Sequence, residues 1–211
     1  MSLGERPFFS SPLDIHAVLG ALSTDGAISV PLLSEAARQA LVQEAERFYY
    51  EPEVETYGTG DQTVRTEYSS CNEFAKVGLY ADFQQAFQEL LDQELSQLDV
   101  YPFNTKLQFN DLVLQRYTPG QVGITPHRDS LWAIHLIALV NLCGEADFYR
   151  CDDRQGSNAV QLDTTPGNVI FLRAPGFLNT QVRPFHFLTG IRSTRYSLGL
   201  RQRAEVAVNK E

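Results

Sequence analysis

Five residues in the second half of the chain have side chains able to hold a metal ion and an anion together. They are His127, Asp129, His186, Arg195 and Ser197. Two neutral imidazoles and one ionised carboxylate on one face form the donor set of a non-haem Fe(II) centre, with positions left open for chemistry. His127 and Asp129 lie two apart in the chain. On a β-strand such residues share a face, roughly 6.6–7 Å apart, so both can reach one ion. The His-x-Asp pair alone also describes a solvated turn. A distant His on a second β-like segment and the Arg-x-Ser that follows make it a candidate site. Metal binding needs neutral imidazoles and an ionised carboxylate, so affinity should fall in acid.

The flanking segments read as strands that would position these groups. Residues 111–117 are β-rich, 118–120 (Thr-Pro-Gly) read as a turn, and 121–126 lead into His127. Along 195–201, Arg195, Ser197 and Arg201 share one parity and Tyr196, Leu198 and Leu200 the other. One face is therefore cationic and hydroxylic, the other apolar. An edge strand with one wet face has the same pattern. If the polar face lines a pocket, Arg195 forms a bidentate pair with a carboxylate and Ser197 adds a hydroxyl. Gln115 and Tyr117 also share a face and could donate to the same ligand.

The ordered set His-x-Asp, distal His and Arg-x-Ser resembles the Fe(II)/2-oxoglutarate-dependent oxygenases. The stretch 114–120 (Leu-Gln-Arg-Tyr-Thr-Pro-Gly), leading to His127-Arg-Asp129, and the closing Arg-Tyr-Ser-Leu-Gly-Leu-Arg of 195–201 look most like the AlkB-like branch. The resemblance covers about residues 81–203. It implies a double-stranded β-helix, or jelly-roll, with iron in its open mouth. His127, Asp129 and His186 would be the catalytic metal ligands. Arg195 would take the C5 carboxylate of 2-oxoglutarate, with Tyr117 and Ser197 assisting. Gln115 and Arg201 match positions that contact the co-substrate in AlkB-like enzymes, although Gln stands where those often have Asn. The cofactors implied are Fe(II), 2-oxoglutarate and O2. The activity implied is that of a dioxygenase, hydroxylating or oxidatively demethylating its substrate. Asp129 favours hydroxylation over halogenation, since related halogenases leave that position open for a halide. The spacing from His186 to Arg195 is shorter than in typical nucleic-acid repair members, and residues 50–80 show no counterpart of their base-flipping lid.

Composition bounds the substrate. The chain has 211 residues and a net charge of −9, enough for one domain with a sizeable core. Residues 1–110 carry 6 basic and 17 acidic side chains, and residues 111–211 carry 11 and 9. An acidic chain is poorly suited to phosphate backbones. A small molecule or a protein side chain is therefore the expected substrate, and alkylated nucleic acid the alternative. A non-catalytic cupin-like module that senses a metal or carboxylate is a second alternative. A zinc hydrolase is a distant third, because there is no His-Glu-x-x-His. The three cysteines, 71, 143 and 151, are odd in number and lack Cys-x-x-Cys spacing, so neither a disulfide framework nor a zinc knuckle is expected. Cys143 reads as core. The first seven residues lack a signal-peptide layout, and the apolar run 131–143 is too short to span a bilayer. A cytoplasmic protein is the expectation.

The organisation expected is a single α+β domain, with helical support and a lid-like loop over 1–105 and the jelly-roll core with the metal site over 106–203. Residues 1–33 read as an irregular lead with a short strand at 27–30. Ser34 caps a helix to about Phe48. Residues 51–72 are polar, with Gly58-x-Gly60, and read as a long loop of the lid kind. A second helix spans about 81–98, with Phe83, Phe87, Leu90, Leu91, Leu95 and Leu98 as a core stripe. Tyr57, Tyr68, Asn72, Phe74 and Trp132 lie in rim segments as candidate substrate contacts. Arg128 should face away from the metal, and His135 should be a core or supporting residue.

Overall fold

Short polar caps start the first two helices. The Asp14 carboxylate accepts the Ala17 amide at the head of α1 (Ile15–Thr24), and the Ser34 hydroxyl accepts that of Ala37 at the head of α2 (Glu35–Ala45). Helix α1 lies inside the lead expected to be irregular. Its buried Ile15, Val18 and Leu22 are spaced for one helical face. Helix α3 (Leu79–Leu95) buries Tyr80, Phe83, Phe87, Leu91 and Leu95. The Phe87 ring stacks on Phe109 and Phe171 with centroids 5.6 and 6.2 Å away. These helices are the expected buttress. The computed structural model describes residues 8–204. The leader segment considered above, residues 1–7, lies outside the described residues. Among the described residues no helix is long and apolar enough to cross a membrane.

The strands are β1 (Ala27–Pro31), β2 (Glu51–Tyr57), β3 (Val64–Cys71), β4 (Asp111–Tyr117), β5 (Gly123–His127), β6 (Ala133–Cys143), β7 (Asp147–Cys151), β8 (Val160–Leu162), β9 (Asn168–Arg173), β10 (Phe185–Thr189) and β11 (Arg195–Arg203). Every pairing between them is antiparallel, in the order β1-β9-β6-β11-β4-β3-β5-β10-β7-β8, with β2 added to β3. The sheet curls into a near-barrel, an α+β arrangement consistent with a jelly-roll core. Strand β3 joins its halves: Thr66 and Glu67 pair with β5, and residues 69–71 with β4.

This corrects two expectations. Residues 51–72 are a β-hairpin rather than a loop. Their polar side chains face outward along most of β2, but the backbone pairs Glu51 with Ser70 through Tyr57 with Val64. The hairpin also supplies a strand to the barrel, as β1 does, so the sheet is not confined to residues beyond 105.

Strand parity separates two cores. On β6, Leu136, Ala138, Val140 and Leu142 face the helices, while Ile137 and Leu139 face the barrel interior. On β11, Tyr196, Leu198 and Leu200 join the helix-side core, leaving Arg195 and Ser197 for the interior. At roughly 25 cal/mol per Å², burial of the apolar parity holds the polar parity inward, because a one-residue slip would exchange the faces.

Gly123 controls the approach of β5 to β10. It has φ +84°, and an added Cβ would lie 2.3 Å from the Leu188 carbonyl oxygen. We expect Gly123→Ala to cost at least about 2 kcal/mol, through positive φ and displacement of β5. Urea denaturation measures this, and a cost near zero would show that the strands can separate freely.

Candidate metal and carboxylate site

His127 is the last residue of β5 and His186 the second of β10, and the two are directly paired across the strands. Their rings meet at 4.4 Å between centroids. Asp129 is not on the strand, which corrects the assumed geometry. It lies in the turn after β5, and the turn rather than the pleat brings it to the histidines. Its Oδ2 is 3.3 Å from His186 Nε2. His127 Nδ1 donates to the Thr125 carbonyl at 3.0 Å, and His186 Nδ1 lies 3.4 Å from that of Pro184. A carbonyl only accepts, so His127 Nδ1 carries the proton and its Nε2 keeps a lone pair, while His186 has an acceptor at each nitrogen, a carbonyl at Nδ1 and the Asp129 carboxylate at Nε2. A carbonyl at Nδ1 is how metal-ligating imidazoles are oriented from behind. Phe148 stacks on His186 at 5.6 Å.

Asp129 is held from its other side. Arg201 Nε donates to its Oδ1 at 3.1 Å, and Arg183 donates to its backbone carbonyl. Burial raises the Asp129 pKa, but the Arg201 guanidinium and the His186 contact overcome this and hold it well below the usual carboxylate range. Asp129 Oδ2 is buried and makes no hydrogen bond. Among the described residues, no three side chains of His, Cys, Asp or Glu type stand as a ready-made metal group. The donor chemistry nevertheless fits a cation. Two imidazoles and an ionised carboxylate lie together, and a shared ion would take the place of the His186–Asp129 contact.

A cavity of about 430 Å³ opens beside these residues. All eight residues singled out in the sequence line it: His127, Asp129, His186, Arg195, Ser197, Tyr117, Gln115 and Arg201. Ile124, Leu139, Phe148 and Leu188 form apolar walls, and Tyr57, Val64, Thr66 and Tyr68 come from the β2–β3 hairpin. Arg195 is 2% exposed. No carboxylate among the described residues pairs with it. Its Nη2 donates to Asn141 Oδ1, its Nε is buried without a partner, and its Cζ lies 5.5 Å from the centre of the Tyr117 ring. Burial lowers its pKa.

The assisting residues are partly committed elsewhere. The Tyr117 hydroxyl donates to Gln115 Oε1 at 3.1 Å. Arg201, which lines the cavity, is paired through its Nε with Asp129. Of the rim residues, Tyr57 and Tyr68 line the cavity. Tyr68, Asn72, Phe74 and Trp132 line an adjoining groove of about 700 Å³, which shares Gln115, Asp129 and Arg201 with the cavity wall. Arg128 borders the cavity, but its guanidinium lies over the Phe185 ring at 4.4 Å. His135 is buried against Phe103 and bonds Gln202 at 2.8 Å, a core role. Asn141 was not singled out. The only signal was an amide inside an apolar run.

Burial, then the neighbouring His186, lowers the His127 pKa from 6.5 to about 4. The unfolded chain therefore binds a proton that the fold refuses between those values. Stability contributed by neutral His127 is full above about 6.5 and is lost as pH falls toward about 4. We expect the thermal midpoint of the metal-free protein to drop across that window, and less steeply in His127→Gln. An unchanged slope in the variant would assign the effect to another group.

No family model matches the chain, and no curated protein matches it. Solved structures do. A prolyl-4-hydroxylase from Pseudomonas putida is 17% identical with a TM-score of 0.59, covering 89% of this chain and 98% of its own. A prolyl hydroxylase from Trichoplax adhaerens, in complex with a hypoxia inducible factor oxygen degradation domain peptide fragment, is 10% identical with a TM-score of 0.62, covering 90% and 89%. An oxidoreductase of the 2OG-Fe(II) oxygenase family from Burkholderia pseudomallei is 12% identical with a TM-score of 0.55, covering 90% of each chain. At these identities the likeness is one of fold: along nine-tenths of its length, the chain folds like prolyl hydroxylases and 2OG-Fe(II) oxygenases.

Proposed function

We propose that the protein is an Fe(II)- and 2-oxoglutarate-dependent dioxygenase, an oxidoreductase acting on a C–H bond of a small molecule or a protein side chain. The observation that carries this reading is the placement of Arg195. A buried guanidinium without a carboxylate partner faces the cavity that holds His127, Asp129 and His186. Burying an unpaired charge is costly, and such charges are normally paired. A dicarboxylic keto-acid supplies the missing anion.

His127, Asp129 and His186 would hold Fe(II), which together with 2-oxoglutarate and O2 supplies the oxidising chemistry. The protein's own contribution is positional. Thr125 and Pro184 orient the imidazoles, Arg201 and Arg183 hold Asp129, and Arg195 with Ser197 receives the distal carboxylate. The apolar walls limit water around the reacting groups. Tyr117 stays protonated, because burial raises its pKa, so its hydroxyl remains a donor once a ligand draws it from Gln115. The likeness to a prolyl hydroxylase solved with a peptide fragment supports a protein side chain as one substrate class. The acidic composition gives nucleic acid no comparable support.

Anaerobic addition of Fe(II) and 2-oxoglutarate to metal-free protein should give a weak charge-transfer absorption near ~500 nm, as expected for keto-acid chelation at an open iron site. Iron binding without that band would set the co-substrate assignment aside. Asp129→Ala and His186→Ala should each abolish succinate formation. Arg195→Ala should weaken 2-oxoglutarate binding by on the order of 100-fold, the size of losing a buried charge-assisted pair. Full turnover in either metal-site variant would remove the metal assignment.

A further inference from the structure

We propose that Asn141 is a positioning residue that fixes the Arg195 guanidinium while leaving its charge uncompensated, so that the incoming distal carboxylate is the first anion it meets. The inference rests on the co-substrate reading above and adds to it the device that makes the cavity selective for a dicarboxylate.

Asn141 is 1% exposed, on β6, paired with Ser197 of β11. Its Oδ1 accepts from Arg195 Nη2, and its Nδ2 donates to the Asn168 carbonyl at 3.2 Å. A guanidinium only donates and a carbonyl only accepts, so the two partners settle which end of the amide is which. The Asn141 carbonyl also accepts the Gly167 amide at 2.7 Å. The residue therefore ties β11, β6 and the start of β9 together around Arg195.

An aspartate would be nearly isosteric and would pair more strongly with the arginine. It would also set a carboxylate oxygen against the Asn168 carbonyl, where no proton is available. The amide satisfies both neighbours. The consequence is electrostatic: Arg195 is held by a neutral acceptor, its Nε remains without a partner, and its full charge faces the cavity. A carboxylate at position 141 would neutralise that charge from behind, and an incoming dianion would then have to displace an internal ion pair.

The test compares two keto-acids on the Mn(II)-loaded protein by isothermal calorimetry: 2-oxoglutarate, and 2-oxobutyrate, which lacks the distal carboxylate. Wild type should prefer 2-oxoglutarate. Asn141→Asp should weaken 2-oxoglutarate by on the order of 100-fold, the scale of a buried charge pair, while leaving 2-oxobutyrate within about threefold and so erasing the preference. Asn141→Ser, which keeps a neutral acceptor on a shorter side chain, should lose on the order of 10-fold for 2-oxoglutarate only. It tests the same point if the aspartate variant does not fold. Thermal melts of both variants report whether the fold survives, and a general loss of fold would weaken both keto-acids together. Undiminished preference in either folded variant overturns the role of Asn141. A wild type that binds both keto-acids equally overturns the co-substrate reading itself, and this inference with it.

Discussion

A guanidinium buried without a counter-ion is the constraint on which the rest of the site depends. Arg195 cannot shed its charge, and the cavity offers it one neutral amide and the face of a tyrosine ring. Several kcal/mol of desolvation therefore stand against the folded state in the absence of an anion. The offset comes from the other side of the same strand, where Leu198 and Leu200 are fully buried against the helices and Tyr196 nearly so. Strand β11 sits between β6 and β4 with seven paired positions on each side, which prevents it from turning over to expose the arginine. An anion entering the cavity would relieve a cost already carried by the fold.

The same two-faced construction explains how distant residues reach one cavity. The phenylalanines of α3 and the helix-facing apolar side chains of β6, β9 and β11 fix the strands from outside. The opposite parity of β4 and β11 then has to face the interior. Histidines 59 positions apart are brought side by side because β5 and β10 are direct antiparallel neighbours. Gly123 permits that closeness, since the Leu188 carbonyl occupies the place a side chain would take. The turn after β5 supplies the carboxylate. Packing energy is thus spent far from the site, and the site inherits its geometry.

What was legible in the sequence follows the same physics. The strands carrying Gln115, Tyr117, Arg195, Ser197 and Arg201 could be read because one face is apolar and the other polar, a pattern with period two. The helix from Ser34 could be read from its cap. The β2–β3 hairpin could not, because β2 is exposed on both faces and polarity without alternation looks like a loop. Helix α1 was hidden behind Pro12 and a short segment, although Ile15, Val18 and Leu22 carried its stripe. Individual side chains were legible as chemical types, but their partners were not. The partner of Arg201 is Asp129, 72 positions away, and no spacing in the sequence marks that pair. Asn141 had no motif to mark it, because one amide in an apolar run gains meaning only from the charge it faces.

The two arginines of β11 share a parity and are six positions apart, yet they meet opposite electrostatic fates. Arg201 is neutralised by Asp129, while Arg195 is not neutralised by anything among the described residues. If both were paired, the cavity would have no attraction for an anion. If neither were, the carboxylate would lack the guanidinium that keeps it ionised, and the unrelieved positive charge would oppose a cation at the histidines. With one paired and one free, the end near His127 and His186 keeps an ionised oxygen for a cation, and the end near Ser197 keeps a cation for an anion. A ligand with a metal-chelating head and a carboxylate tail matches that polarity in one orientation only. Gly199, between the two, contributes by omission: an added Cβ would lie 2.9 Å from Arg201 Nη1, where it would crowd the guanidinium that holds Asp129. The direction of the site is therefore set along a single strand, by which of its arginines the fold has already matched.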